Sequence, residues 1–201
     1  MVKTVFNLVL KTTWDVLVKA LQIAGLAKKE NDAVPKLNTQ LRRHLDIVSV
    51  IRQIEITPNE ILDVGCGTGL LAKALVEHGY SNVTGVDWLP KEKVEYLKYL
   101  NSYYQVNLNE ASEMPLPSRK YDLVICSDVL EHLENPASVI RQMAKFVNPE
   151  GVILITVPNA VNIFQRWRFL LTGNSTRYKT EKPNGWGHIT FFTTNIMKSL
   201  A

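Results

Sequence analysis

An acid stands two residues ahead of three alternate glycines in Asp63-Val64-Gly65-Cys66-Gly67-Thr68-Gly69. Glycines at every second place of a strand-to-helix turn leave bare backbone against which a ligand can press, with no Cβ in the way. Asp87 closes a second apolar run, Asn82-Val83-Thr84-Gly85-Val86, about 20 residues further on, where a carboxylate reaches ribose hydroxyls. Nucleotide binding is the first expectation, and neighbouring residues narrow it. A dinucleotide fingerprint requires glycine at the sixth place of G-x-G-x-x-G, and that place is Leu70. Asp63 would lie at the mouth of the turn, where a pyrophosphate is drawn by backbone amides and opposed by a nearby anion. No Gly-Lys-Ser/Thr follows the glycines, so the phosphate-binding loop is absent too. These residues favour a phosphate-free, cationic nucleoside whose ammonium and sulfonium an acid attracts, which describes S-adenosyl-L-methionine.

A second group that could do chemistry is Asp128, Glu131 and His132, directly after the apolar run Tyr121 to Ser127. Methyl transfer from a sulfonium is an in-line displacement with a neutral thioether as leaving group. An enzyme for it must hold the acceptor in line, exclude water and remove a proton from a hydroxyl or amine. His132 is the best candidate base, since histidine is the side chain that ordinarily titrates nearest neutrality. The competing reading has Glu131 and His132 capping or orienting a helix that begins near Pro136. His188, in Gly185-Trp186-Gly187-His188-Ile189-Thr190-Phe191-Phe192-Thr193, is a further base candidate, whereas Phe191 and Phe192 are expected to pack.

The glycine turn resembles motif I of class I S-adenosylmethionine-dependent methyltransferases. Asp87 resembles their ribose-binding acid. Tyr121 to Leu133 resembles the fourth strand and following loop of the small-molecule branch, type 11, and Asn148 to Asn159 the fifth strand and its exit. The similarity spans roughly residues 40 to 200. It implies a cofactor site of Asp63, Gly65, Cys66, Gly67, Gly69, Asp87, Trp88, Asn107, Leu108 and Ser127, with Trp88 either stacking on the nucleoside or packing as an ordinary core aromatic, and Met114 packing. Asn107 departs from the pattern, because an acid is usual there for the adenine amino group. Its carbonyl oxygen can accept the same hydrogen bond. Asp128-Val129-Leu130-Glu131-His132 also matches an acid-x-x-Glu-His spacing that holds a divalent metal in some relatives, although the expected site is metal-free. The His188 segment resembles His-x-x-Phe-x-Thr in relatives acting on glycan or lipid precursors and in MetW-like proteins. The resemblance implies a methyltransferase for a small-molecule acceptor, a lipid, glycan or other anionic metabolite. Its alternative is a non-catalytic MetW-like partner of a biosynthetic enzyme.

These residues need an α/β frame. Strands are expected at about 60 to 65, 82 to 87, 103 to 108, 121 to 127 and 151 to 157, with helices near 69 to 78, 91 to 100 and 136 to 147. Buried Val/Ile/Leu-rich strands alternating with helices predict a Rossmann-like, doubly wound, mostly parallel sheet, with ligands beyond the carboxyl ends of its strands. Leu41, Leu45, Val48 and Ile51 predict one more helix, terminated by Thr57-Pro58-Asn59. Two domains of unequal weight result: an N-terminal amphipathic helix and linker over 1 to 37, and a methyltransferase domain over 38 to 201.

Lys3, Asn7, Lys11, Asp15 and Lys19 make a polar stripe on the N-terminal helix, whose charges argue against a membrane span. It is expected to pack on the domain or on a second subunit of a homodimer. Peripheral membrane contact through residues 1 to 27 is the alternative. At the other end a helix is expected to open at Thr193 or Thr194, with the sequence stopping before the C-terminal strand hairpin usual in the family. That leaves two readings: the chain is a fragment, or the edge beside the fifth strand is covered in another way, by the N-terminal helix or another subunit. With two cysteines, 46% hydrophobic residues and a formal charge of +4, the chain reads as globular, from a reducing compartment, cytoplasmic with membrane association as the alternative. Such a charge and the lack of an RNA-binding module argue against nucleic acid. A helix begun between Asn159 and Trp167, with Arg166, Arg168, Arg177, Lys179 and Lys182, is expected to bring positive charge to the mouth of the site and attract an anionic acceptor.

Overall fold

Val/Ile/Leu-rich runs become strands here because both faces of the sheet they form are covered. The computed structural model describes residues 3–5, 39–54, 56–158, 163–173 and 187–200. Its strands are β1 (Lys3–Val5), β2 (Ile61–Val64), β3 (Val83–Asp87), β4 (Ser102–Gln105), β5 (Tyr121–Ser127) and β6 (Val147–Thr156). They lie in the order β1-β6-β5-β2-β3-β4, and every pairing is parallel. From β2 the chain winds outward to β3 and β4, then returns to β5 on the other side of β2. The switch point therefore lies between β2 and β5, where ligands of such sheets bind.

Helices cover both faces. On one, Ile47, Val48, Val50 and Ile51 of α1 (Thr39–Gln53) pack with Leu71, Ala72, Ala74 and Leu75 of α2 (Leu70–Glu77) against Ile61, Val83, Leu123 and Ile125. On the other, Val139 and Met143 of α3 (Pro136–Phe146) join Leu62, Val64, Val124 and Ile153. Phe192 and Met197 complete that second layer from the C-terminal segment, which includes α5 (Thr194–Leu200). As expected, a threonine opens this last helix: Thr193 Oγ1 accepts the Ile196 amide at 3.2 Å. Between them, α4 (Ile163–Thr172) ends on Gly173, whose φ of 66° suits glycine and whose amide donates to the Phe169 carbonyl at 2.8 Å.

The foot of β5 is fixed by Asp122. Its carboxylate accepts the amides of Asn59 and Glu60 and the Asn148 side-chain amide, at 2.9, 3.1 and 2.7 Å. Burial works to raise its pKa, yet these hydrogen bonds hold it below the ordinary aspartate value. Opposite it β6 bulges, since Tyr121 pairs with Val147 and Leu123 with Val152. A Cβ on Gly151 would come within 2.7 Å of Val147 Cγ2, so the bulge closes only on glycine. The bulge also starts this strand earlier than the expected 151.

Two segments differ from expectation. The helix near 91 to 100 is instead two 3-10 turns, Lys91–Lys93 and Leu97–Tyr99, with Val94 extended between them. The Tyr96 amide leaves the helical ladder to donate to the Thr68 carbonyl at 2.8 Å, tying the segment to the glycine turn. At the N-terminus, Lys3–Val5 is not helical but pairs with Val152 to Leu154 of β6, where the edge was expected to be covered by a helix or a subunit. The rest of residues 1 to 27 lies outside the described residues. So do residues 159 to 162, where α4 was expected to begin, and Arg177, Lys179, Lys182, Gly185 and Trp186. Among the described residues, the segment after β6 contains no further strand, and no helix is long and apolar enough to cross a membrane.

Candidate active site

The glycine turn leaves β2 in a conformation that side chains resist. Gly65, Gly67 and Gly69 have φ of 79°, 53° and 82°. A Cβ on Gly65 would lie 2.2 Å from Val129 Cγ2, so the turn packs against the loop after β5 only through bare backbone. At Gly67 a Cβ would meet no atom within 4 Å, so backbone faces open space there. The turn is bolted to the end of β3. The amides of Gly65 and Cys66 donate to the Val86 carbonyl at 2.7 and 3.1 Å, and the Gly67 amide donates to Asp87 Oδ2 at 2.7 Å. The other Asp87 oxygen accepts the Leu89 amide at 3.0 Å. A carboxylate has about four acceptor sites, so Asp87 keeps capacity for two ligand hydroxyls.

Asp63 sits beneath the turn, 2% exposed, with Oδ2 lacking a hydrogen-bond partner among the described residues. Burial, and then the neighbouring Asp87 carboxylate, push its pKa up to about 7. Cys66 and Cys126 are buried free thiols. Burial raises both, so they stay protonated fillers and not nucleophiles. A buried acid with an orphaned oxygen next to unobstructed backbone fits a cationic nucleoside, the donor set expected for S-adenosylmethionine.

Trp88 follows Asp87 and is 48% exposed, an aromatic face at the strand ends. Beyond β4, Asn107 is engaged differently from the expectation. Its carbonyl oxygen accepts the Asn109 amide at 3.1 Å and its Nδ2 donates to Glu110 Oε1 at 2.7 Å. Leu108 and the buried Met114 pack into the core layer below.

At the end of β5, Ser127 Oγ lies 2.9 Å from Thr156 Oγ1, joining it to β6. Asp128 then takes a φ of 54°, unusual for a side-chain-bearing residue, while its amide donates to the Thr156 carbonyl at 3.0 Å. Its carboxylate accepts Arg43 Nη1 of α1 at 2.6 Å. Asp128 therefore belongs to an ion pair and not to the acid-x-x-Glu-His set suggested by spacing. Arg43 is the residue that sequence reasoning missed. The spacing of Leu41, Leu45, Val48 and Ile51 placed a helix there, but nothing local connects residue 43 to a partner 85 positions away.

Glu131 and His132 lie in the 3-10 turn Leu130–His132, where Glu131 is 1% exposed. They do not cap α3, because Asn135 Oδ1 does so by accepting the Ser138 amide at 3.0 Å. The structure brings His188 to them. The amides of Ile189 and Thr190 donate to the Glu131 carbonyl at 2.8 and 3.1 Å, and Thr190 Oγ1 donates to the Leu133 carbonyl at 3.0 Å. Three hydrogen bonds thus dock the His188 segment on the turn, and the two imidazoles meet edge to face with centroids 4.9 Å apart. His132 Nδ1 lies 3.0 Å from the Gly187 carbonyl, which can only accept, so Nδ1 carries a proton and Nε2 is the nitrogen left to face a substrate. That Nε2 is 4.0 Å from Glu131 Oε1, and His188 Nε2 is 3.9 Å from the same oxygen. Such a trio can move a proton, and its ligand-capable atoms, all within 4.8 Å of one another, have the chemistry to take a divalent cation that accepts imidazole. In the His188 segment Phe192 is buried and Phe191 is 51% exposed.

Comparison with known proteins comes down on the same elements. A family profile described as a methyltransferase domain matches residues 37–201. The ubiquinone biosynthesis O-methyltransferase of Nitrosospira multiformis is 35% identical over 112 residues, 54% of this chain and 46% of that protein. Its counterpart in Rickettsia conorii is 37% identical over 138 residues, 68% of this chain and 47% of that protein. The chain thus spans about half the length of these relatives. Among solved structures, the plantazolicin methyltransferase BamL, in complex with a triazolic desmethylPZN analog and SAH, superposes with a TM-score of 0.58. It is 18% identical over 81% of this chain and 61% of that one. A candidate methyltransferase from Bacillus halodurans C-125 gives 0.56 at 20% identity, over 81% and 67% of the two chains. At these identities the likeness is one of fold.

Proposed function

The chain belongs to the methyltransferase-domain family, and from that premise we propose that it transfers the methyl group of S-adenosylmethionine to a hydroxyl of a small-molecule acceptor. Gly67 carries the reading. Its amide is held by Asp87 while its Cβ direction is open, so a preformed backbone cradle stands beside the acid that would take the ribose. Asp63 supplies the negative charge that a sulfonium cofactor needs and a pyrophosphate would avoid. Trp88 stacks on the nucleoside, and the backbone beside Asn107 and Leu108 meets the adenine edge.

The acceptor side lies across the loop after β5. His132 Nε2, its tautomer fixed by the Gly187 carbonyl, takes the hydroxyl proton as the oxygen attacks the methyl carbon in line with the departing sulfur. Glu131 supports the imidazolium that forms, and His188 stands as second base. The oxygen acceptor rests on this trio and on the O-methyltransferases among the relatives. An anionic or lipid-like acceptor is favoured by Arg166 and Arg168 on α4 together with its exposed Trp167, Leu170 and Leu171. Screening phenols, lipid-linked sugars and carboxylates for homocysteine release, with S-adenosylhomocysteine hydrolase as the coupling enzyme, tests the reading. Release with a hydroxyl acceptor, lost in His132→Ala, is the expected result. Cofactor binding without release for any acceptor would overturn catalysis and favour a binding partner.

A further inference from the structure

Four acids gather beneath and beside the glycine turn, and three of them have a polar partner among the described residues. Asp128 faces Arg43. Glu131 faces His132 and His188. Asp87 accepts two backbone amides. Asp63 is the exception. It lies on β2 in register with Gly85, and the charged group that acts on it is another carboxylate, Asp87 of β3. Around it the turn contributes the Cys66 thiol and β5 the Cys126 thiol, and the latter also feels Glu131 and Asp128 of the following loop. A carboxylate that is 2% exposed, with an oxygen lacking a partner among the described residues, is costly to ionise in such surroundings.

We propose that Asp63 holds a proton in the free protein and releases it to solvent as the cationic amino-acid end of S-adenosylmethionine docks at the glycine turn, so that cofactor uptake is coupled to the loss of one proton. This rests on the cofactor reading above. In the free site the neutral carboxyl spares the protein two adjacent buried anions. When the ligand brings its ammonium and sulfonium, the O–H bond of Asp63 breaks, the proton passes to buffer, and the carboxylate remains to face the arriving charge. The lifting of its pKa to about 7 by burial and by Asp87 places the exchange in the physiological range. Asp63 is then a positioning residue that reads the charge of the cofactor, while Asp87 reads its ribose. A neutral nucleoside gives it no reason to ionise.

Calorimetric titration of the full chain with S-adenosylmethionine at pH 6, in buffers of different ionisation enthalpy, counts the protons. At that pH the ligand's ammonium is already fully protonated, so any release comes from the protein. The expected result is release approaching one proton, with affinity weakening about tenfold for each pH unit lowered from 6. Asp63→Asn should bind with no dependence on buffer. Release that persists in Asp63→Asn would assign the proton to a histidine and overturn the proposal, as would binding to the native chain with buffer-independent heat. Should Asp63→Asn fail to fold, infrared difference spectra of the native chain decide. Loss of a protonated-carboxyl stretch on adding cofactor supports the proposal, and an unchanged carboxyl region overturns it. Absence of any binding, in every buffer, instead removes the cofactor reading itself and the inference with it.

Discussion

Single atoms set the terms of this site. Gly65 is the sharpest case, because its φ of 79° and the Val129 methyl 2.2 Å from a built Cβ both exclude a side chain. Gly65→Ala should cost about 1–3 kcal/mol in strain and shift the loop after β5, seen as a lower denaturation midpoint together with weaker cofactor binding. His132 makes a different kind of claim. Its ring is fixed through Nδ1 by a backbone carbonyl, so His132→Ala should lower kcat by about 10²–10⁴ while cofactor affinity measured by calorimetry changes only a few-fold. A change confined to affinity would remove it from the role of base. The residues most legible in the sequence were those whose chemistry is local: the glycines, Asp63 and Asp87. Asn107 was placed at the correct strand end, but its carbonyl oxygen is taken by the amide two residues on, which composition alone does not reveal.

Elements were legible where periodicity and burial agree. β2, β3 and β5 fall within a residue or two of their expected bounds, because continuous Val/Ile/Leu runs admit little else when both faces are covered. Residues 91 to 100 failed the same reasoning, since a helical-looking composition gave way to a tertiary hydrogen bond from Tyr96 to Thr68. Long-range docking was not legible either. The Glu131 carbonyl receives the Ile189 and Thr190 amides, and only the folded chain brings these segments together. This docking predicts that Thr190→Val, which removes the bond to the Leu133 carbonyl, displaces His188 and lowers kcat/KM for the acceptor more than cofactor affinity. Steady-state kinetics beside a cofactor titration checks it. For α1, Ile51 is fully buried against the sheet, and Ile51→Ala should cost about 2–5 kcal/mol in guanidinium unfolding.

At the scale of the molecule, the sheet order puts the turn after β2 beside the loop after β5 at the switch point, so cofactor acid and candidate base share one edge. Concentrating acids there has a consequence for stability. Asp63 has a raised pKa in the folded chain, so the folded state holds the extra proton between the ordinary aspartate value of 3.8 and about 7. Stability should therefore fall as pH rises across that window, by at most about 1.4 kcal/mol per pH unit, and level off above it. Asp122, held below its ordinary value, acts in the opposite sense, and its contribution is lost as pH drops through its lowered pKa. Guanidinium midpoints should peak in mild acid, and Asp63→Asn should flatten the decline toward neutrality. Cofactor binding is what this whole arrangement serves. Calorimetric titration of the native chain and of Asp87→Ala with S-adenosylmethionine at pH 7.5 tests it most directly. Saturable one-to-one binding, weakened about 100-fold or more in the variant through loss of charge-assisted hydrogen bonds, is the predicted result. Absence of binding to the native chain, or equal binding to both, would contradict it.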